Sequence, residues 1–134
     1  METLTIEVRD GTIDMSESWV YVWRSRSQPG SPIVYVGSTG MPPVLRTWLH
    51  LNHEDPDVGR VGQGYPDINE ESLTVLAFRL DNDVDRQTVK HALIAALARD
   101  GRLGQTYIGP RSEDVRMERK EAAVTGEILA ALPS

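Results

Sequence analysis

Two β-prone runs separated by a turn-forming stretch constrain this chain more than any other feature. Trp19-Val20-Tyr21-Val22-Trp23 and Ile33-Val34-Tyr35-Val36-Gly37 each place one tyrosine at the centre of bulky residues. Between them, residues 25–32 contain Gln28-Pro29-Gly30-Ser31-Pro32, a composition that demands a hairpin-style connection. An antiparallel strand pair follows. The first run is bulky at every position rather than alternating, which predicts a strand covered on both faces.

The remaining elements arrange themselves around that pair. Leu4-Thr5-Ile6-Glu7-Val8 alternates and ends at Arg9-Asp10-Gly11, a strand closed by a turn signal. Pro42-Pro43 suits the first turn of a helix, where a missing N–H costs nothing. Leu45, Trp48 and Leu49 form the apolar stripe of that helix, so Arg46 and His50 share a neighbouring face, with His53 a turn further on. Residues 52–71 are polar and rich in Gly, Asp and Pro, predicting a long loop with room for one short helical turn; loops of this length tend to be functional. Residues 72–78 alternate as a third strand. In residues 85–99, Val89, Ala92, Leu93, Ala96 and Leu97 make a helical stripe stopped by Asp100-Gly101, and a last helix is expected over about 112–132. The reading is a single α+β domain over 1–134: a small antiparallel β-sheet of about three core strands, with an N-terminal strand added, flanked by helices.

Bulk properties narrow the function classes. A chain of 134 residues supports one core. It has no cysteine, so disulfides and thiolate-metal sites play no part and a reducing, cytoplasmic setting suits it. The first residues have no basic region followed by an apolar stretch, and the longest apolar run, near 92–98, is far short of a membrane span; neither a signal peptide nor a membrane partner is expected. With 14 basic and 20 acidic side chains the net charge is −6. That opposes non-specific nucleic-acid binding, which draws on phosphate neutralisation, yet a local basic patch can act within an acidic protein.

The order Tyr21, then Tyr35-Val36-Gly37-Ser38-Thr39, then Arg46 and His50 one helical turn apart resembles the signature of the GIY-YIG nuclease family. The first motif has Trp19-Val20-Tyr21 in place of Gly-Ile-Tyr, and Val36 stands for isoleucine. A literal Tyr107-Ile108-Gly109 also occurs, but no convincing strand precedes it, and it is read as a coincidence. The resemblance implies a GIY-YIG-like fold and one-metal hydrolysis of DNA phosphodiesters. Tyr21 would help activate the attacking water, Tyr35 would hold the hydrogen-bond network, Arg46 would face the scissile phosphate and His50 would relay a proton. A phenol titrates near a pKa of about 10, so it serves as a base only where positive charge favours the phenolate. Arg46 can supply that charge and grip phosphate through two N–H groups.

The metal ligand that the resemblance calls for is harder to place. By order, a glutamate belongs in the helix 85–99, which contains none. Lys90 and His91 lie nearest the expected position. Lys90 cannot ligate a metal while charged, and His91, off the apolar stripe, is expected to face solvent. On the last helix, Met117, Val124, Ile128 and Leu132 share a face with Glu121 in its middle. A carboxylate in an apolar stripe needs a partner, and Glu121-Ala122-Ala123-Val124 resembles the start of the family's glutamate helix. Glu121 is therefore the expected ligand of one divalent ion, Mg²⁺ or Mn²⁺, with an ion pair to Arg46 or another arginine as the equal alternative.

Two functions follow. One is a small metal-dependent DNA endonuclease with a basic cleft of Arg24, Arg26, Arg46 and Arg60, targeted by the 52–71 loop or by a protein partner. The other is a GIY-YIG-like binding or scaffold module without catalysis. A third possibility is an unrelated α+β domain, which opposed tyrosine faces would indicate. Convergence of Tyr21, Tyr35, Arg46 and Glu121 on one cleft favours the first function, and a distant Glu121 the second.

Overall fold

A computed structural model describes residues 1–13, 17–113 and 115–133. The first elements are a two-stranded hairpin, β1 (Val8–Arg9) and β2 (Thr12–Ile13), closed by Asp10 and Gly11 at φ 49° and 77°. The expected N-terminal strand over 4–8 thus shrinks to its last residue. Leu4 is 83% exposed, so its alternation has no core to face.

The centre of the molecule is the sheet formed by β3 (Trp19–Ser25), β4 (Ile33–Thr39) and β5 (Leu73–Arg79), in the order β4-β3-β5 and antiparallel throughout. Between β4 and β5 lie α1 (Pro43–Asn52) and α2 (Arg60–Gly64); after β5 come α3 (Arg86–Arg99) and α4 (Arg119–Ala131). The α+β class and the hairpin match the sequence expectation, the third strand lies within a residue of it, the two hairpin strands start where expected and run on to Ser25 and Thr39, and α2 is the short helical turn inside the long loop. As the middle strand, β3 is covered on both faces, which explains why it is bulky at every position.

Strand alternation divides the core in two. Val20, Val22, Val36, Val89, Leu93, Leu97 and Ile128 pack on one face of the sheet with α3 and α4. Tyr21, Trp23, Val34, Tyr35, Val61 and Tyr65 pack on the other with α2. Both tyrosines reach the same face because Tyr21 pairs with Gly37 and Trp23 with Tyr35. The register then slips by one residue, with Arg24 opposite Ile33, so Val34 is an extra residue of the bulge and Ile33 turns to the other core.

Two helices differ from expectation. The face of α1 is reversed: His50 is fully buried, while Trp48 is 58% exposed and Val44, Leu45 and Leu51 also face out. The final helix begins at Arg119 rather than near 112. Val115 and Met117 are two positions apart and give the preceding segment no helical stripe to lay on α3; Asp114 lies outside the described residues. Among the described residues, no helix is long and apolar enough to cross a membrane.

Candidate functional site

The tyrosine face of the sheet carries the chemistry. α1 starts at Pro43, and its Arg46 and His50, four residues apart, both turn toward the strands. His50 is wedged among three rings, with centroid separations of 5.6 Å to Tyr21, 5.7 Å to Trp23 and 5.0 Å to Tyr35, all edge-on. Its Nε2 and the Tyr21 hydroxyl are 2.6 Å apart, a short buried hydrogen bond. The Tyr21 and Tyr35 rings are 6.3 Å apart.

Gly37 makes room for this arrangement. It is the cross-strand partner of Tyr21, and a Cβ at position 37 would stand 2.5 Å from Tyr21 Cζ, inside the ring's own volume. A glycine after the second tyrosine motif is thus required by the phenol of the first.

Two guanidinium groups border the cluster, each tethered by the loop between α1 and α2. Arg46 Nη1 donates to the Val58 carbonyl at 2.9 Å, and Arg60 Nε donates to the Asp57 carbonyl at 3.1 Å. Neither is paired with a carboxylate among the described residues. Burial, with the neighbouring Tyr35 adding to it, drives the Tyr21 phenol well above its ordinary pKa, and Arg46 by charge and hydrogen bonding only partly opposes the rise. Burial likewise raises Tyr35, opposed by the charges of Arg60 and Arg46. The imidazole goes the other way: burial first, then the same two arginines, push His50 down to about 3. At neutral pH the pair is therefore a neutral phenol against a neutral imidazole. The Lys90 ammonium, on α3, is lowered by burial first and then by the charge of Arg60.

Of the residues expected from sequence, Tyr21, Tyr35, Arg46, His50 and Arg60 come together. Arg24 and Arg26 do not. Arg24 follows Val22 in the alternation and belongs to the opposite face, where Nε contacts the Ser31 carbonyl at 3.4 Å; Arg26 is exposed beyond the end of β3. Glu121 does not join them either. It sits on α4, which packs against α3 on the other side of the sheet. There Glu121 is 4% exposed and its Oε2 accepts from the Asp85 backbone N–H at 3.4 Å. Asp85 is the N-cap of α3, so the buried carboxylate meets the positive end of that helix instead of a metal-binding cleft or an arginine. His91 is half-buried, with Nδ1 2.9 Å from Ser112 Oγ, rather than solvent-facing.

A divalent ion of the Mg²⁺ or Mn²⁺ type takes oxygen ligands, carboxylates foremost. The cluster instead offers protonated phenols and an engaged imidazole bordered by cations, and no carboxylate is among the groups that shift Tyr21, Tyr35, His50 or Lys90. No group of three or more His, Asp or Glu suited to a metal occurs among the described residues. This donor set does not fit the ion that the sequence led us to expect.

Sequence reasoning missed the outer wall of the site. After α3 the chain returns along the free edge of β4: Ile33 N–H donates to Arg102 O at 3.1 Å, Gly104 N–H to Ile33 O at 2.9 Å and Ile108 N–H to Val34 O at 2.8 Å. Ile33 and Leu103 form a parallel bridge. The Tyr107-Ile108-Gly109 segment set aside as a coincidence is thereby brought against Tyr35, with Gly109 in the left-handed region at φ 100°. No local signal marks it, because its partner is a strand end some seventy positions earlier. No family, curated protein or solved structure was found to match this chain.

Proposed function

We propose that this chain is a nucleic-acid-binding domain of GIY-YIG-like type, which holds a backbone phosphate of DNA in its tyrosine cleft and does not cleave it. The observation that carries this reading is the charge of the cleft. Arg46 and Arg60 act on both phenols, and the expected acidic ligand is on the opposite side of the sheet. Guanidinium groups anchored through one N–H keep others free for phosphate oxygens, and the Tyr35 hydroxyl can donate to the same anion.

The protonation states favour binding over hydrolysis. To act as a base, the Tyr21 oxygen must lose its proton to His50, yet burial raises the phenol and lowers the imidazole. Both shifts oppose the transfer. A metal-dependent DNA endonuclease is the second reading, favoured by the 2.6 Å Tyr21–His50 contact, which is the geometry of a proton-accepting pair.

Labelled duplex and single-stranded DNA titrated with the protein, beside supercoiled plasmid incubated with Mg²⁺ or Mn²⁺, separate the two. Salt-sensitive binding weakened by Arg46→Ala and Arg60→Ala, with intact plasmid, is the expected result. Metal-dependent nicking lost in Tyr21→Phe would establish the nuclease instead.

A further inference from the structure

Beside Tyr35 lies a cavity of about 300 Å³, walled by Tyr35, Pro56 and Ile108 and edged by Arg60 and Gln63, with Gly64 and Gly109 completing its rim. It is continuous with the cationic site because Arg60 belongs to both. We propose that this cavity receives one unpaired nucleobase of the bound strand, next to the phosphate held by Arg60, so that the domain selects single-stranded or locally opened nucleic acid. The proposal rests on the phosphate-binding reading above.

Four features fit a base. The volume lies at the low end of small-molecule sites, which run to roughly 300–1,000 Å³, and admits one ring system rather than a stacked pair. The walls are an aromatic ring, a proline ring and an isoleucine, surfaces suited to a flat π-system. The rim carries one carboxamide: Gln63 Nε2 makes only a long contact with His53 O at 3.4 Å, leaving donor and acceptor available to a base edge. The two glycines keep the space open. A Cβ at Gly64 would meet nothing nearer than Ile108 Cδ1 at 3.8 Å, so a side chain there grows into free volume. At Gly109, φ 100° disfavours any side chain and a Cβ would press within 3.3 Å of Tyr35.

A base stacked and paired in a duplex cannot enter such a cavity without being drawn out of the stack, whereas an unpaired base enters at little cost. The charge of the site attracts both forms through phosphate, and the cavity adds a contact only the unpaired form can make.

The test is fluorescence anisotropy at one fixed salt concentration with three probes: a labelled single-stranded oligonucleotide, the same strand with abasic positions, and its duplex. The expected wild-type order is single strand tighter than duplex by about tenfold, with the abasic strand close to the duplex. Gly64→Leu, which fills the cavity, should remove most of that ratio, and Gln63→Ala should reduce it in a form retaining the native circular dichroism spectrum. Equal affinity for all three probes, lost in Arg46→Ala and Arg60→Ala, would overturn the base pocket and leave phosphate binding standing. A single-strand preference unchanged in both cavity variants would also overturn it. Absence of salt-dependent binding to any probe would overturn both readings.

Discussion

At the scale of single residues, His50 holds the tyrosine face together and makes it sensitive to acid. Its imidazole is fully buried, touches three aromatic rings and bonds to the Tyr21 hydroxyl, while Nδ1 has no hydrogen-bond partner among the described residues. Folding holds its pKa near 3 against the ordinary value of 6.5. Between those values the unfolded chain binds a proton that the native one does not, so acid favours unfolding. Stability should thus fall as pH drops below 6.5, with His50 contributing up to about 1.4 kcal/mol per pH unit until pH approaches 3. Urea unfolding between pH 7 and pH 4 should show a shallower loss in His50→Gln than in wild type. Gly37 is the second sensitive position. Gly37→Ala would drive a methyl into the Tyr21 ring and should cost about 1–3 kcal/mol, with loss of near-ultraviolet aromatic dichroism as the ring moves.

At the scale of elements, α1 shows a helix placed by specific polar contacts against its own hydropathy. Its apolar side chains Leu45, Trp48 and Leu49 gave the sequence-based stripe, but the sheet offers a polar-tipped aromatic surface, and the face that complements it carries Arg46 and His50. Trp48→Ala should therefore shift unfolding by no more than about 0.5 kcal/mol. His50→Ala, which leaves a void among three rings and an unpartnered phenol, should cost about 2–3 kcal/mol. Chemical denaturation of the two variants checks the ranking; the reverse order would mean that α1 buries its tryptophan. On α3 the sequence signals agreed with one another: Asp85 caps the helix by accepting from the Gln87 and Thr88 N–H groups, and Val89, Ala92, Leu93, Ala96 and Leu97 are buried as their spacing required.

At the scale of the whole molecule, an acidic protein presents a local cationic cleft. The net charge of −6 repels a polyanion at long range, whereas on the proposed reading Arg46 and Arg60 attract a phosphate at close range. On that reading, affinity for duplex DNA should be modest and its salt dependence shallow, because so few contacts are made. A plot of log Kobs against log salt should have a slope of about −2, on the order of −0.9 per phosphate neutralised by Arg46 and Arg60. Replacing Arg60 by alanine should flatten it by about one unit; an unchanged slope would place the DNA elsewhere on the surface.

Local pattern alone was enough to determine the α+β class, the tyrosine hairpin, the third strand and the stripe of α3, because each depends on side-chain period and turn chemistry over a few neighbouring residues. The grouping of Tyr21, Tyr35, Arg46 and His50 was also legible, as an ordered set of residues within thirty positions. Tertiary structure alone decided the rest. Which face α1 buries depended on what the sheet offered it. The role of Glu121 depended on the end of another helix meeting it, and the wall made by Ile108 and Gly109 depended on a returning segment finding the free edge of β4. In each case the partner is remote in sequence, so no local period or propensity encodes the contact.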